Sequence, residues 1–373
     1  MIDVVRALAP DIQAEADRIE RDRRLPLALV RTLARAGVFR LCVPRALGGE
    51  EADPATLIAV LEELAHADGS TGWCAMIGAT SGLVSAYLPD AEARAIYGTS
   101  PDVVTGGVFA PTGSAVRENA HYRVSGRWRF ASGCQHCDWL MGGCLVHDDG
   151  PPRARMVLFP ATDAEIIDTW TVSGLRGTGS HDIAVRELRV PTSRSVSITH
   201  DRPLAPGALY AFPLFGLLAL GIAAVALGIA RRALDEILTL AGAKTPTGGR
   251  RTLAERSTVQ AQLAEAVATL GGGRALVRAV AEECWTAARA DGVIDVPLRA
   301  RLRLAATHAT TAAARVVDVA YTVGGGTAVY ADSPLQRAFR DVHVVTQHMM
   351  VAPATWELCG RVLLGLDTDT TTL

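Results

Sequence analysis

The sequence has few aromatic residues, 5% of 373, and almost no net charge, with 37 Lys and Arg against 39 Asp and Glu. No basic stripe interleaved with aromatics occurs, so nucleic acid is not an expected partner. The N-terminal stretch MIDVVRALAPDIQAEADRIERDRR is amphipathic and mixed in charge. It holds no apolar core followed by a cleavage site, which argues against secretion. Seven cysteines, an odd number without regular spacing, form no disulfide framework and suit a reducing cytoplasm. Cys134 and Cys137 make a single CxxC, with Cys144 and His147 nearby. A structural zinc site wants a second ligand pair at regular spacing, so these side chains are expected to fill a β-layer and no metal is expected. No internal repeat is present.

What the chain does have is a change of texture in its middle. Up to about residue 102 the apolar residues recur at helical spacing, as in Leu27, Val30, Leu33 and Ala34, and again in Leu57, Ile58, Leu61 and Leu64. From 103 to 200 Gly, Pro, Val and Thr dominate and short alternating stretches recur. The candidate strands are Val103–Phe109, Tyr122–Ser125, Arg127–Ala131, Trp139–Val146, Arg155–Pro160, Glu165–Trp170 and Ile183–Pro191. Short strands at this spacing predict a compact antiparallel barrel or sandwich. From 201 to 373 helices return, over Leu214–Ala241, Leu253–Asp291, Pro297–Gly324 and Ser333–Leu364. The expected fold is therefore α+β in three parts: a helical domain over 1–102, a β-barrel over 103–200 and a helical bundle over 201–373. The uncharged run Pro203–Ala230 is long enough to cross a bilayer. Its Ala and Gly content, and its passage into Arg231-Arg232, favour the centre of a bundle and no membrane partner.

One stretch concentrates candidate chemistry: Tyr122 to Trp139, YRVSGRWRFASGCQHCDW. Val124-Ser125-Gly126-Arg127 carries a turn signal, so two hairpin arms are expected on either side. The second arm ends in Ser132-Gly133, a hydroxyl beside a residue that admits a close neighbour. With Trp128 this is a plausible floor for a flat aromatic ligand.

In combination, three motifs resemble the acyl-CoA dehydrogenase fold over Leu25 to Gly365. They are Ser125–Gly133 (SGRWRFASG), Leu175–Asp182 (LRGTGSHD) and Pro334–Asp341 (PLQRAFRD). The resemblance implies a helical domain, a β-barrel and a four-helix bundle, with a flavin between barrel and bundle and a homotetramer built as a dimer of dimers. Dehydrogenases of this fold need a carboxylate base. Eight residues after Asp341 stands Met349, and nine before Leu227-Gly228 stands Leu218; no Asp or Glu occurs between Arg202 and Asp235. Both base positions are apolar.

Arg340–His348 (RDVHVVTQH) instead looks like the flavin-dependent monooxygenase branch of the superfamily. In that branch a separate NAD(P)H:flavin reductase supplies reduced FMN or FAD. The reduced flavin reacts with O2 as co-substrate to give a C4a-hydroperoxide, which oxygenates a small, mostly apolar organic molecule of aromatic or polyketide-like type. The resemblance places His348 at the oxygen-reacting edge, where an imidazole can donate to the peroxide or deprotonate a phenol. It places Ser132 beside flavin N5, Trp128 and Gly133 against the ring, and Thr178 and Ser180 on a loop near the flavin. Arg256 would reach a phosphate, with Gly325 and Gly326 offering backbone NH groups. Trp73, Met76, Thr80 and Ser81 would form the substrate wall. Ser81 stands where aromatic hydroxylases of the group often carry His, so a substrate other than a simple phenol is expected. The alternative is an acyl-CoA dehydrogenase or desaturase whose base lies elsewhere.

Overall fold

The computed structural model describes residues 1–148, 150–290 and 292–373. Five helices come first: α1 (Ile2–Asp22), α2 (Leu27–Arg35), α3 (Pro54–Ala67), α4 (Gly69–Ser81) and α5 (Asp90–Tyr97). Asp53 and Asp68 start α3 and α4 by accepting the backbone N–H of Thr56 and Thr71, each at 2.7 Å, which satisfies a free donor of the first turn. Seven strands follow: β1 (Thr105–Glu118), β2 (His121–Trp128), β3 (Trp139–His147), β4 (Arg153–Pro160), β5 (Glu165–Ile167), β6 (Asp182–Pro191) and β7 (Ser195–Val196). The chain ends in α6 (Ala208–Ala211), α7 (Leu214–Ala243), α8 (Ser257–Ala290), α9 (Val296–Gly324), α10 (Pro334–Val345) and α11 (Ala354–Leu363). The predicted helix end at Asp291 falls outside the described residues.

The strands form one mixed sheet in the order β5-β6-β2-β1-β3-β4-β7, not the closed antiparallel barrel expected from their spacing. The pairing of β1 with β3 is parallel, because the chain crosses from the end of β2 through a short 3-10 turn and enters β3 on the far side of β1. Strand spacing alone carries no signal of that crossover. The expected turn at Val124–Arg127 is also absent. Residues 121–128 are one strand, and the β1–β2 reversal falls at Asn119-Ala120, with Asn119 at φ 56°. Gly126 marks a register shift against β6 and leaves room for Trp128. A Cβ on Gly113, Gly126 or Gly142 would come within 2.4, 2.6 and 2.4 Å of the Trp128 ring.

The apolar helix α7 runs through the interior, almost wholly buried over residues 216–230 and packed against α3 and α9. Its composition therefore reflects a core helix. The predicted C-terminal helix over Ser333–Leu364 is broken in two. Pro353 precedes α11, and 3-10-type bonds from Gln347 N–H to Val344 O and from His348 N–H to Val345 O close the end of α10.

Candidate functional site

Two segments distant in sequence are docked together where β2 ends. The Ala131 and Gly133 amides donate to the carbonyls of His181 (3.0 Å) and Thr178 (2.9 Å), fixing residues 130–133 against the loop 170–182. Within that loop, His181 Nδ1 accepts the N–H groups of Thr169 at 3.2 Å and Trp170 at 3.3 Å. Burial lowers the imidazole pKa and Arg23 adds to the shift, while Asp168, 3.3 Å away, and Asp182 oppose it. Leu175, at φ 49°, donates its N–H to Asp341 Oδ1 at 2.5 Å, and its carbonyl accepts the Trp170 Nε1–H at 3.1 Å. The Arg-Asp pair of the third motif is thus a structural clamp between α10 and this loop.

The docking assembles a buried row of hydroxyls. Thr178 Oγ1 is 2.8 Å from Leu175 O and 2.7 Å from Ser180 Oγ. Ser180 Oγ is 2.7 Å from Ser132 Oγ, which accepts the indole N–H of Trp73 at 3.0 Å. Trp73 in turn meets the His348 ring edge to face, with centroids 5.6 Å apart and planes at 61°. Five of the expected site residues, Trp73, Ser132, Thr178, Ser180 and His348, therefore converge from α4, the end of β2, the 170–182 loop and the α10–α11 turn.

His348 is half-buried, and burial, reinforced by the Arg303 guanidinium, pushes its pKa down to about 4. Its Nδ1 accepts the Met350 N–H at 3.3 Å, so the proton of the neutral ring sits on Nε2. The neutral ring offers Nε2–H as a donor, and its one basic lone pair, on Nδ1, is taken up by the Met350 N–H, which disfavours the phenol-deprotonating role. Arg303, buried in α9, holds this turn by donating to Met350 O at 2.9 Å and to Thr372 O.

Other expected site residues stand elsewhere. Trp128 is 0% exposed and sits inside the sheet, its indole N–H on Gly143 O at 2.7 Å, so it presents no face to a ligand. The open aromatic is Phe130, 67% exposed, at φ 66°, two residues before Ser132 and edge-on to Trp170. Its exposure was not readable from strand alternation, since the strand ends at Trp128. Met76 packs against Gly221 of α7, and the Thr80 hydroxyl is spent on Met76 O. Ile77, one turn on from Trp73, lies against Gly106 of β1. Ser81 is buried farther along α4, its carbonyl accepting from Tyr97 Oη at 3.4 Å. Arg256 is exposed beside Gly249, while Gly325 adjoins Lys244 and Gly326 faces open space; these contacts are not with the hydroxyl row. The thiols of Cys134, Cys137 and Cys144 point to backbone carbonyls of Gly179, Gly133 and Gly142.

The acyl-CoA dehydrogenase N-terminal domain matches residues 1–91 and the acyl-CoA dehydrogenase C-terminal domain residues 220–353. Indole-3-acetate monooxygenase of Pseudomonas putida is 33% identical over 355 residues, covering 95% of this chain and 90% of that protein. The oxygenase component of the FADH2-dependent resorcinol hydroxylase of Rhizobium sp. is 29% identical over 382 residues, covering 97% of this chain and 93% of its own. Among solved structures, XiaF from Streptomyces sp. in complex with FADH2 and glycerol has a TM-score of 0.92 at 27% identity, covering 98% of this chain and 95% of that one.

Proposed function

The chain belongs to the acyl-CoA dehydrogenase family, and from that premise we propose that it is the oxygenase component of a two-component flavin-dependent monooxygenase. The observation that carries this is the pairing of a hydroxyl row ending at Ser132 with a neutral, Nε2–H-bearing His348 across Trp73, in a chain lacking both dehydrogenase carboxylates. At the first of those positions Met349 is 68% exposed; at the second Leu218 is buried in α7. Removing a proton α to a thioester needs a carboxylate within reach, and neither position offers one.

The residues present fit a reduced flavin. Phe130 offers an exposed aromatic face and Ser132 a hydroxyl at the mouth of the row, while Gly133, at φ 73° and packed against the His136 ring, turns the chain between them and the 170–182 loop. Bound there, the reduced flavin supplies the electrons with which one oxygen atom of O2 enters the substrate and the other leaves as water. The chain's own part is to orient and to exclude. Ser132 would hold the N5 side of the ring, His348 Nε2–H would offer a hydrogen bond to the oxygen end, and Trp73 with Ile77 would wall the substrate. Burial keeps His348 in one charge state across the neutral range.

FAD or FMN fits these contacts, and a separate reductase would deliver either in reduced form. Arg256 and the Gly325-Gly326 turn, apart from the hydroxyl row in one chain, would serve the phosphates across a subunit boundary in a homotetramer. The switches of texture near residues 102 and 200 would then separate three domains, and seven free cysteines suit the cytoplasm. The substrate is a small, flat aromatic or heteroaromatic molecule of the kind named for the relatives. To test this, purified protein with photoreduced FAD or FMN is given 18O2 and a panel including indole-3-acetate and resorcinol. One 18O atom in a product supports the proposal. Reduction of bound flavin by an acyl thioester, with no labelled product across the panel, would overturn it.

A further inference from the structure

We infer that Thr178 and Ser180 are positioning residues that set the direction of the hydrogen bond at Ser132, and so make the site select reduced over oxidised flavin. The inference rests on the placement of Ser132 beside flavin N5 proposed above.

The direction follows from counting protons along the row. An indole N–H can only donate, so Ser132 Oγ accepts from Trp73 at 3.0 Å. At the other end the Leu175 carbonyl can only accept, so Thr178 Oγ1 gives its single proton there at 2.8 Å. With that proton spent, the 2.7 Å contact between Thr178 and Ser180 must carry the Ser180 proton toward Thr178. The 2.7 Å contact between Ser180 and Ser132 must then carry the Ser132 proton toward Ser180. Ser132 is left with no proton to give and one lone pair open.

That polarity distinguishes the two flavin states. Reduced flavin carries a hydrogen on N5 and needs an acceptor, whereas oxidised flavin presents an N5 lone pair and needs a donor. Ser132 as held by the row answers only the first. To answer the second, every hydroxyl in the row must reverse, and Thr178 must withdraw its proton from Leu175 O. That carbonyl keeps the Trp170 Nε1–H and the Thr178 N–H, at 3.1 and 3.2 Å, so the reversal loses a single neutral hydrogen bond. One such bond corresponds to a preference on the order of tenfold. A component that must take reduced flavin from a reductase and release it once oxidised gains from such a bias.

The test is the ratio of dissociation constants for oxidised and photoreduced FAD, titrated anaerobically without substrate or oxygen. Thr178→Val and Ser180→Ala each remove the anchor that polarises Ser132 while leaving Ser132 in place. Both should tighten oxidised flavin and lower the ratio by about tenfold, which also lowers the two-electron potential of bound flavin by about 30 mV. Thr178→Ser keeps the hydroxyl and should keep the wild-type ratio. If both breaking variants weaken the two states equally, or Thr178→Ser behaves as Thr178→Val does, the polarity assignment is wrong while the flavin site stands. If the wild-type protein binds flavin in neither state, the placement of the flavin fails and takes this inference with it.

Discussion

Leu175 and Asp341, 166 residues apart, are joined by a 2.5 Å hydrogen bond from the Leu175 N–H to Asp341 Oδ1, which ties α10 to the loop carrying Thr178 and Ser180. Asp341 is fully buried. Burial, with Asp68 and Glu20 nearby and Arg340 opposing them, raises its pKa to about 7.

A carboxyl with a raised folded-state pKa binds its proton more tightly in the folded protein than in the unfolded one. Its contribution to stability is therefore full below the ordinary carboxylate range and is lost as pH rises through about 7. Asp341→Asn keeps an oxygen for the Leu175 N–H and removes the titration. We predict that the variant gains stability relative to wild type between pH 5 and pH 8, by roughly 2–4 kcal/mol at the upper end. Urea unfolding across that range measures it.

For His348, the pKa of about 4 predicts oxygenation that does not change between pH 6 and pH 8 through this residue. Because its folded-state value is lowered, its stabilising contribution is present above about 6.5 and lost as pH falls through 4. His348→Asn retains a donor and His348→Ala does not. The alanine variant should release most consumed O2 as hydrogen peroxide, with product yield down about 10–100-fold for the loss of one charge-assisted hydrogen bond, and the asparagine variant should fall between. Peroxide and product assays read the split.

Trp128 and Phe130 lie two residues apart and should behave oppositely. Trp128→Ala empties a packed site and takes the indole donor from the Gly143 carbonyl, at a cost of about 3–5 kcal/mol. Phe130→Ala removes an exposed ring, so stability should change by less than about 0.5 kcal/mol while flavin affinity falls roughly tenfold. Thermal unfolding and flavin titration separate the two effects.

That pair also marks the boundary of what is legible in the chain. The order of helical, β and helical parts is readable because periods of 3.6 and 2 differ over whole segments, and α7 has the composition of a core helix. Ser132, Thr178, Ser180, His348 and Trp73 are nameable from motifs, but their convergence depends on amides of residues 131 and 133 docking onto the 170–182 loop. Gly126 reads as a turn because glycine is common in turns; in the fold its missing side chain makes room for Trp128. The parallel β1–β3 pairing needs a crossover that leaves no periodic trace, and the tautomer of His348 depends on a single Met350 amide.

Arg303 links that turn to the chain's last residues through Met350 O and Thr372 O. Arg303→Met leaves both carbonyls without their charged donor and should cost about 2–4 kcal/mol. Looser placement of His348 should raise peroxide release further than the loss of stability alone accounts for, judged against a variant equally destabilised at a remote core position.

An oxygenase component changes what happens when a reduced flavin meets oxygen. Double-mixing stopped flow, with protein and photoreduced FAD or FMN mixed first and aerated buffer second, follows O2 consumption and oxidised-flavin absorbance together. We predict a protein-dependent lag between the two, shortened in Ser132→Ala. Simultaneous traces indistinguishable from free flavin, in wild type and variant alike, would contradict it.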